Sequence, residues 1–185
     1  MGMAEFLISS VTVGSGGSSS IDFTSIPQTY TDLKVVLSTR DSRTSNGPGY
    51  LKLSINSSTS NFSYKSLYGY SNGPGDPNPS GTPAAGSDSG SGASGNYASY
   101  AGGTNAQTAN SFGNNEIYIT NYTSSNYKSI SVDGVSETNG NYPYQNHLLA
   151  NLWSNTAAIT SLSIIPGSSP FLQYSTIYLY GIKNS

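Results

Sequence analysis

Between Ser71 and Asn110 the chain contains no Ile, Leu, Val, Phe, Met or Trp. Gly, Pro, Ser, Ala and Asn fill this stretch, and its only large side chains are Tyr97 and Tyr100. A segment of this composition buries too little apolar surface to offset the conformational entropy lost on ordering. We therefore predict one long Gly/Ser/Pro-rich loop over residues 71–110, and we expect the rest of the domain to fold without it.

On both sides of this segment, short runs alternate apolar and polar residues and are separated by Gly, Pro and Asn, a pattern typical of strands. No stretch has the periodicity of an amphipathic helix. We therefore predict an all-β fold: one antiparallel β-sandwich of nine to ten strands, jelly-roll-like, formed by residues 1–185 with 71–110 as a loop insertion. The predicted strands are 6–13, 21–23, 32–40, 50–55, 62–68, 116–121, 127–135, 147–153, 159–165 and 176–182.

The charge content is low and nearly balanced. Seven Lys and Arg and nine Asp and Glu give a net charge of −2, and charged residues make up 9% of the chain, against about 25% in an ordinary soluble domain. Such a surface offers no basic patch for nucleic acid and no attraction to anionic membranes. With no Cys in the chain, disulfides and thiolate metal sites are excluded.

The sequence offers few residues for catalysis or metal binding. His147 is the only His, and a zinc site built on one His and carboxylates is improbable; we expect His147 to be satisfied or partly exposed. The segment that begins at Asp76 resembles a calcium loop, but its twelfth position is Ser87 and two prolines interrupt it. We predict no metal, no cofactor and no catalytic residue.

Three carboxylates are candidates for the two catalytic carboxylates of a glycosidase. Asp133 and Glu137 flank a predicted turn, and Glu116 lies on a neighbouring strand, so a pair 5 to 10 Å apart is geometrically possible. Solvated turn carboxylates are the favoured interpretation. We therefore expect a protein that is not an enzyme.

Tyrosine dominates the aromatic residues, with fifteen Tyr against five Phe and one Trp. Tyr suits strands and protein interfaces, so we predict a homo-oligomer, with a trimer favoured. Within the predicted loop, Tyr97 and Tyr100 are the candidate interface residues, since only they could anchor it to a neighbouring molecule. Trp153 follows Leu149 and Leu152 and is expected in the core; stacking on a sugar is its alternative role.

Both ends of the chain carry longer motifs. These are ISSVTV at 8–13, IDFTSIPQTYTDL at 21–33, LWSNTAAITSL at 152–162 and YLYGI at 178–182. Together they resemble a family of virion proteins of tailed bacteriophages, common in marine and cyanobacterial phages. The resemblance covers about two thirds of the chain and omits the long loop. It implies a β-sandwich on the outer surface of a phage particle, and none of the motifs is a catalytic signature.

These observations give two expectations of function. The first is a non-enzymatic virion protein that decorates or cements the capsid, with the major capsid protein or another virion protein as its partner. Small size, low charge and the predicted arm at 71–110 favour it. The alternative is a tail- or fibre-associated module that binds glycan on the host surface through Tyr, Trp and Asn side chains.

Overall fold

The computed structural model describes residues 3–44, 49–71, 96–105, 107–136, 144–167 and 169–184. These residues form eleven strands and no helix, so the described ranges hold no helix that could span a membrane. The all-β class predicted from the sequence is confirmed. The strands are β1 (Met3–Thr12), β2 (Ile21–Phe23), β3 (Asp32–Asp41), β4 (Gly49–Ile55), β5 (Phe62–Ser71), β6 (Tyr97–Thr104), β7 (Gly113–Ile119), β8 (Lys128–Ser136), β9 (Tyr144–Trp153), β10 (Leu162–Pro166) and β11 (Thr176–Asn184).

The strands form two antiparallel sheets packed as a sandwich. The larger sheet has the order β1-β11-β3-β7-β8-β9-β5, and the smaller has the order β2-β10-β4-β6. A short parallel pairing of Arg40 with Gly103 and of Asp41 with Thr104 joins the two sheets at one corner. The end of β3 in the larger sheet is therefore hydrogen-bonded to the end of β6 in the smaller one.

The core lies between the two sheets because side chains alternate along each strand. Along β8, for example, every second residue from Lys128 to Ser136 is buried and those between are exposed. Ile130 and Val132 face Ile119 and Ile117 across the β7–β8 pair. The larger side chains of the core include Ile21, Phe23, Leu33, Val35, Leu37, Leu53, Phe62, Tyr122, Leu149, Trp153, Ile164 and Leu179.

The loop predicted over residues 71–110 is wrong for part of its length, because residues 97–104 form strand β6 of the smaller sheet. Ala98 and Ser99 are fully buried, and the strand contacts β7, β8 and β9 of the opposite sheet. Small side chains allow this close approach of two sheets. The segment therefore supplies core residues, and this gives a physical reason to expect that the sandwich needs residues 97–104 in order to fold.

The buried side chain of Lys128 stabilises the turn that precedes β8. Its side chain is fully buried, and burial lowers its pKa from the usual value. The Nζ atom donates to the carbonyl oxygens of Ser124 at 2.7 Å and Asn126 at 2.5 Å. Hydrogen bonds to a charged group are stronger than neutral ones, so Lys128 holds the turn before β8 in place.

Candidate functional site

Three loops meet at one end of the sandwich and enclose a pocket of about 500 Å³. The first wall comes from residues 15–17 after β1, and the third from residues 170–174 before β11. The second wall comes from the segment between β6 and β7, through Asn105, Ala109, Asn110 and Phe112. Arg40 near the end of β3 and Ser42 just after it complete the lining. We call this the loop pocket. Loops held by a rigid sandwich are the usual place for binding sites in β folds.

Arg40 fixes the second wall of the loop pocket. Its guanidinium donates from Nη1 to the carbonyl oxygens of Thr108 at 2.8 Å and Ser111 at 2.7 Å, and from Nη2 to that of Gln107 at 3.1 Å. The residue is 5% exposed, and desolvation lowers the pKa of its guanidinium. Within the described residues no carboxylate forms an ion pair with it. The buried charge is therefore stabilised by backbone carbonyl dipoles, which at the same time order the loop.

The backbone of Arg40 fixes the third wall. Its carbonyl oxygen accepts hydrogen bonds from the Leu172 amide at 2.8 Å and from the Ser175 hydroxyl at 3.0 Å. Its amide donates to the Ser175 Oγ at 3.0 Å. One residue thus connects two loops that are far apart in sequence.

The first wall is joined to the third by a two-bond bridge. The Ser18 amide donates to the Phe171 carbonyl at 3.1 Å, and the Phe171 amide donates to the Ser18 carbonyl at 2.8 Å. Gly17 has a φ of +71°, and a Cβ added there would lie 2.8 Å from the Phe171 oxygen. Only glycine fits this approach without strain. All three walls are therefore fixed relative to one another.

Tyr174 stands at the rim of the loop pocket in a backbone conformation that L-residues seldom adopt. Its φ is +73° and the residue is 68% exposed. Tyr174 is the third residue of a turn in which the Ser175 amide donates to the Leu172 carbonyl at 3.1 Å, and its own amide donates to the Val13 carbonyl at 2.9 Å. A bulky residue at positive φ is strained, and such strain concentrates at functional sites. An exposed aromatic ring on a strained, fixed backbone is the strongest functional signal at this end of the molecule.

The outer face of the larger sheet carries the two described carboxylates of the predicted pair. Glu116 and Asp133 are directly opposite each other on β7 and β8, beside a shallow depression of about 330 Å³. Lys34 Nζ lies 3.9 Å from Glu116 Oε2 and 2.5 Å from Glu5 Oε1. The Glu116 side chain is 51% exposed, whereas a general acid needs a site that excludes water. Glu137, the third carboxylate, lies outside the described residues.

The same outer face exposes a group of leucines near the edge strand β5. Leu67 and Leu148 are directly opposite each other on β5 and β9, and Leu152 lies two alternations further along β9 on the same face. Their exposed fractions are 52%, 56% and 37%. We call these three residues the leucine patch. Leu67 and Leu148 are neighbours, whereas the pair Ala150 and Lys65 separates them from Leu152. Exposed leucines on adjacent strands are a candidate surface for contact with another protein.

The predicted site residues fall in different places. Tyr97 is half-buried in β6, with its ring 5.2 Å from that of Tyr64 and 5.6 Å from that of Tyr50, so much of its ring packs within the molecule. The side chain of Tyr100 lies outside the described residues.

His147 and Trp153 both lie on the inner face of β9. His147 is 2% exposed, and desolvation lowers its pKa to about 4, so the ring is neutral at pH 7. Trp153 is 1% exposed; its placement in the core is confirmed, which removes it from any sugar-stacking role. Among the described residues, no three His, Cys, Asp or Glu side chains come together as a metal site.

Comparison with known proteins gives no relative: no family model, no curated protein and no solved structure matches the chain. The functional residues are therefore identified from this structure alone. Sequence reasoning missed Arg40 and Tyr174, since neither belongs to a motif. The one local signal was the position of Arg40 at the end of a predicted strand.

Proposed function

We propose that the protein is a non-enzymatic structural component of the outer surface of a tailed-phage particle, where it decorates or cements the capsid. Its partners are further copies of itself and the major capsid protein or another virion protein. Support for the phage particle comes from the resemblance of the terminal segments to virion proteins. Support for a packed, low-charge surface comes from the composition, with 9% charged residues.

The leucine patch is the observation that carries this proposal. A protein that worked alone in water would gain nothing by exposing Leu67 beside Leu148, with Leu152 further along the same face. The patch borders β5, an edge strand of the larger sheet. An apolar patch of this kind fits a second copy of the chain. A ring of three requires that the patch of each copy contact a different surface of the next copy, since a patch that pairs with itself gives a dimer. We propose the trimer, the oligomer favoured in the sequence analysis, with the leucine patch as one side of each interface.

The polar groups of the described residues support a role without catalysis. Glu116 and Asp133 lie on an open sheet face, and His147 is buried beneath the same sheet, away from that face. Within the part of the chain that the structure describes, no nucleophile, base and orienting group meet in one pocket as covalent catalysis requires. Among the described pocket residues, polar side chains are suited to binding rather than to chemistry.

Leu148→Lys is expected to dissociate the oligomer. The wild-type protein should scatter light as a trimer at micromolar concentration. The variant should associate about 100-fold more weakly, because a charged lysine in place of leucine must be desolvated in the interface, and pairing with Asp133, directly opposite on β8, does not offset that cost. The melting temperature of the dissociated subunit should change little, since Leu148 is more than half exposed. Multi-angle light scattering across a dilution series measures the association.

Asn114→Lys provides the matched control, because Asn114 is exposed on the same sheet face but outside the leucine patch. It should leave the trimer intact. A wild-type protein that remains a monomer at micromolar concentration would contradict the proposal. So would a Leu148→Lys variant that associates as tightly as the Asn114→Lys control.

A further inference from the structure

We propose that the loop pocket binds a neutral saccharide, with the Tyr174 ring as its stacking surface. This inference goes beyond the proposed structural role. It rests on the size of the pocket, the chemistry of its lining, its lack of free charge and the fixed position of its walls. Each of these is independent of the leucine patch, which lies on the outer sheet face.

The size of the loop pocket suits a small ligand. Its volume of about 500 Å³ falls within the range of about 300 to 1,000 Å³ that is usual for small-molecule sites. Tyr174 at the rim is 68% exposed and Phe112 in the wall is partly exposed. Aromatic rings of this kind offer flat apolar faces, which match the C–H face of a sugar ring.

The polar lining matches hydroxyl groups. Side-chain amides come from Asn105, Asn110 and Gln173, and hydroxyls come from Ser15 and Ser42. Amides and hydroxyls each both donate and accept hydrogen bonds, as sugar hydroxyls do. Asn, Ser, Gly and Tyr are also the residues that adaptable binding loops use most, because they combine hydrogen bonding with a low entropic cost.

The charge of the lining favours a neutral ligand over an acidic one. Among the described residues that line the pocket there is no Asp, Glu or Lys, and Arg40 is the single charged residue. Its Nη1 atom donates to the Thr108 and Ser111 carbonyls and lies 3.1 Å from the Ser111 Oγ. These bonds account for both Nη1 hydrogens, and the bond to the Gln107 carbonyl accounts for one on Nη2. Most of the Arg40 donors therefore build the wall, and the uronic acid probes test whether the Nε–H and the second Nη2–H recruit a carboxylate.

The pocket is organised before a ligand arrives. Arg40 connects the second and third walls, and the Ser18–Phe171 bridge connects the first and third. Tyr174 has a positive φ in the turn that the Ser175 amide closes, and its own amide donates to the Val13 carbonyl. A ligand that enters such a site does not have to order the loops, so most of the interaction free energy appears as affinity.

Tyr174→Asn and Tyr174→Phe separate a binding role from a structural one. Asn adopts positive φ more readily than Tyr, so the first variant removes the ring while its melting temperature stays level or rises. We expect it to lose saccharide affinity by tenfold or more. Phe keeps the aromatic face, so the second variant should bind within about threefold of the wild type.

The probes are neutral hexose oligosaccharides and, as a comparison, oligosaccharides of the same length that contain uronic acid, measured by glycan array and by NMR titration. Tyr127→Asn is the control, because Tyr127 is 58% exposed and lies outside the pocket lining. Wild-type binding to a neutral probe, lost in Tyr174→Asn and kept in both Tyr174→Phe and Tyr127→Asn, supports the inference. No binding by the wild type, preference for the uronic acid probes, or unchanged binding by Tyr174→Asn overturns it. Light scattering of the same variants tests the trimer separately.

Discussion

Replacing Arg40 with Met is expected to lower the free energy of unfolding by about 3 kcal/mol, which makes it one of the two most damaging substitutions considered for this chain. The variant removes the guanidinium donors of the Gln107 and Ser111 carbonyls, which lie in a buried and a partly buried environment, whereas the Thr108 carbonyl keeps the Ser111 amide and hydroxyl as donors. Lost hydrogen bonds to a charged group and unsatisfied buried acceptors each cost about 1 to 3 kcal/mol. The apolar Met side chain recovers part of this loss, because it removes the cost of burying the charge. Equilibrium denaturation in urea measures the difference.

Two further variants make the Arg40 result interpretable. Arg40→Lys keeps the charge but lacks the planar guanidinium. Its free energy of unfolding should therefore lie between that of the wild type and that of Arg40→Met. Lys183→Met removes an exposed cation of β11 and should change the free energy of unfolding by less than about 0.5 kcal/mol. If Arg40→Met were no less stable than Lys183→Met, Arg40 would not be the residue that holds the loop pocket together.

Ala98→Asp is expected to prevent folding or to lower the free energy of unfolding by about 4 kcal/mol or more. Ala98 is fully buried in β6 between the sheets, and an unpaired carboxylate there has neither water nor a cation to stabilise it. Ala150→Asp is the matched control, since Ala150 is exposed on the outer face of β9. It should have a small effect. Circular dichroism and urea denaturation measure both.

A second exchange defines which part of the 71–110 segment belongs to the fold. Residues 72–95 contain no large apolar side chain, so replacing them with a Gly-Ser linker of equal length should change the free energy of unfolding by less than about 1 kcal/mol. Replacing 71–110 with a short turn also deletes β6 and should yield an unfolded chain. A folded product from the larger deletion, or an unfolded one from the linker exchange, would contradict this assignment of β6.

The sequence pattern predicted ten of the eleven described strands because their apolar residues alternate and are β-branched or aromatic. A strand with one buried face is predicted, for example, by the alternating Ile117 and Ile119 on β7 and by Ile130 and Val132 on β8. Strand β6 gives no such signal. Ala98 and Ser99 are small, and the same strand contains two glycines. Their small size suits the narrow space between the two sheets, which is a feature of the folded structure and not of the local sequence pattern.

The loop pocket was not predictable for a related reason. The bonds of Arg40 go to backbone carbonyls about 70 residues away, and any residue presents a carbonyl. Tyr174 has a positive φ at the third position of the turn that the Ser175 amide closes on the Leu172 carbonyl, and a tyrosine is not a residue that predicts such a turn. Tyr97 was assigned to an interface because of its size alone. In the structure it lies in β6, and its ring packs against those of Tyr64 and Tyr50.

The central claim is that this protein forms part of the outer surface of a tailed-phage particle. A low-resolution map of the intact particle, compared with one from particles that lack the protein, tests it most directly. We predict additional density on the outer face of the capsid, in groups of three sandwich-sized lobes. Identical maps, or a difference confined to the tail or its fibres, would contradict the account.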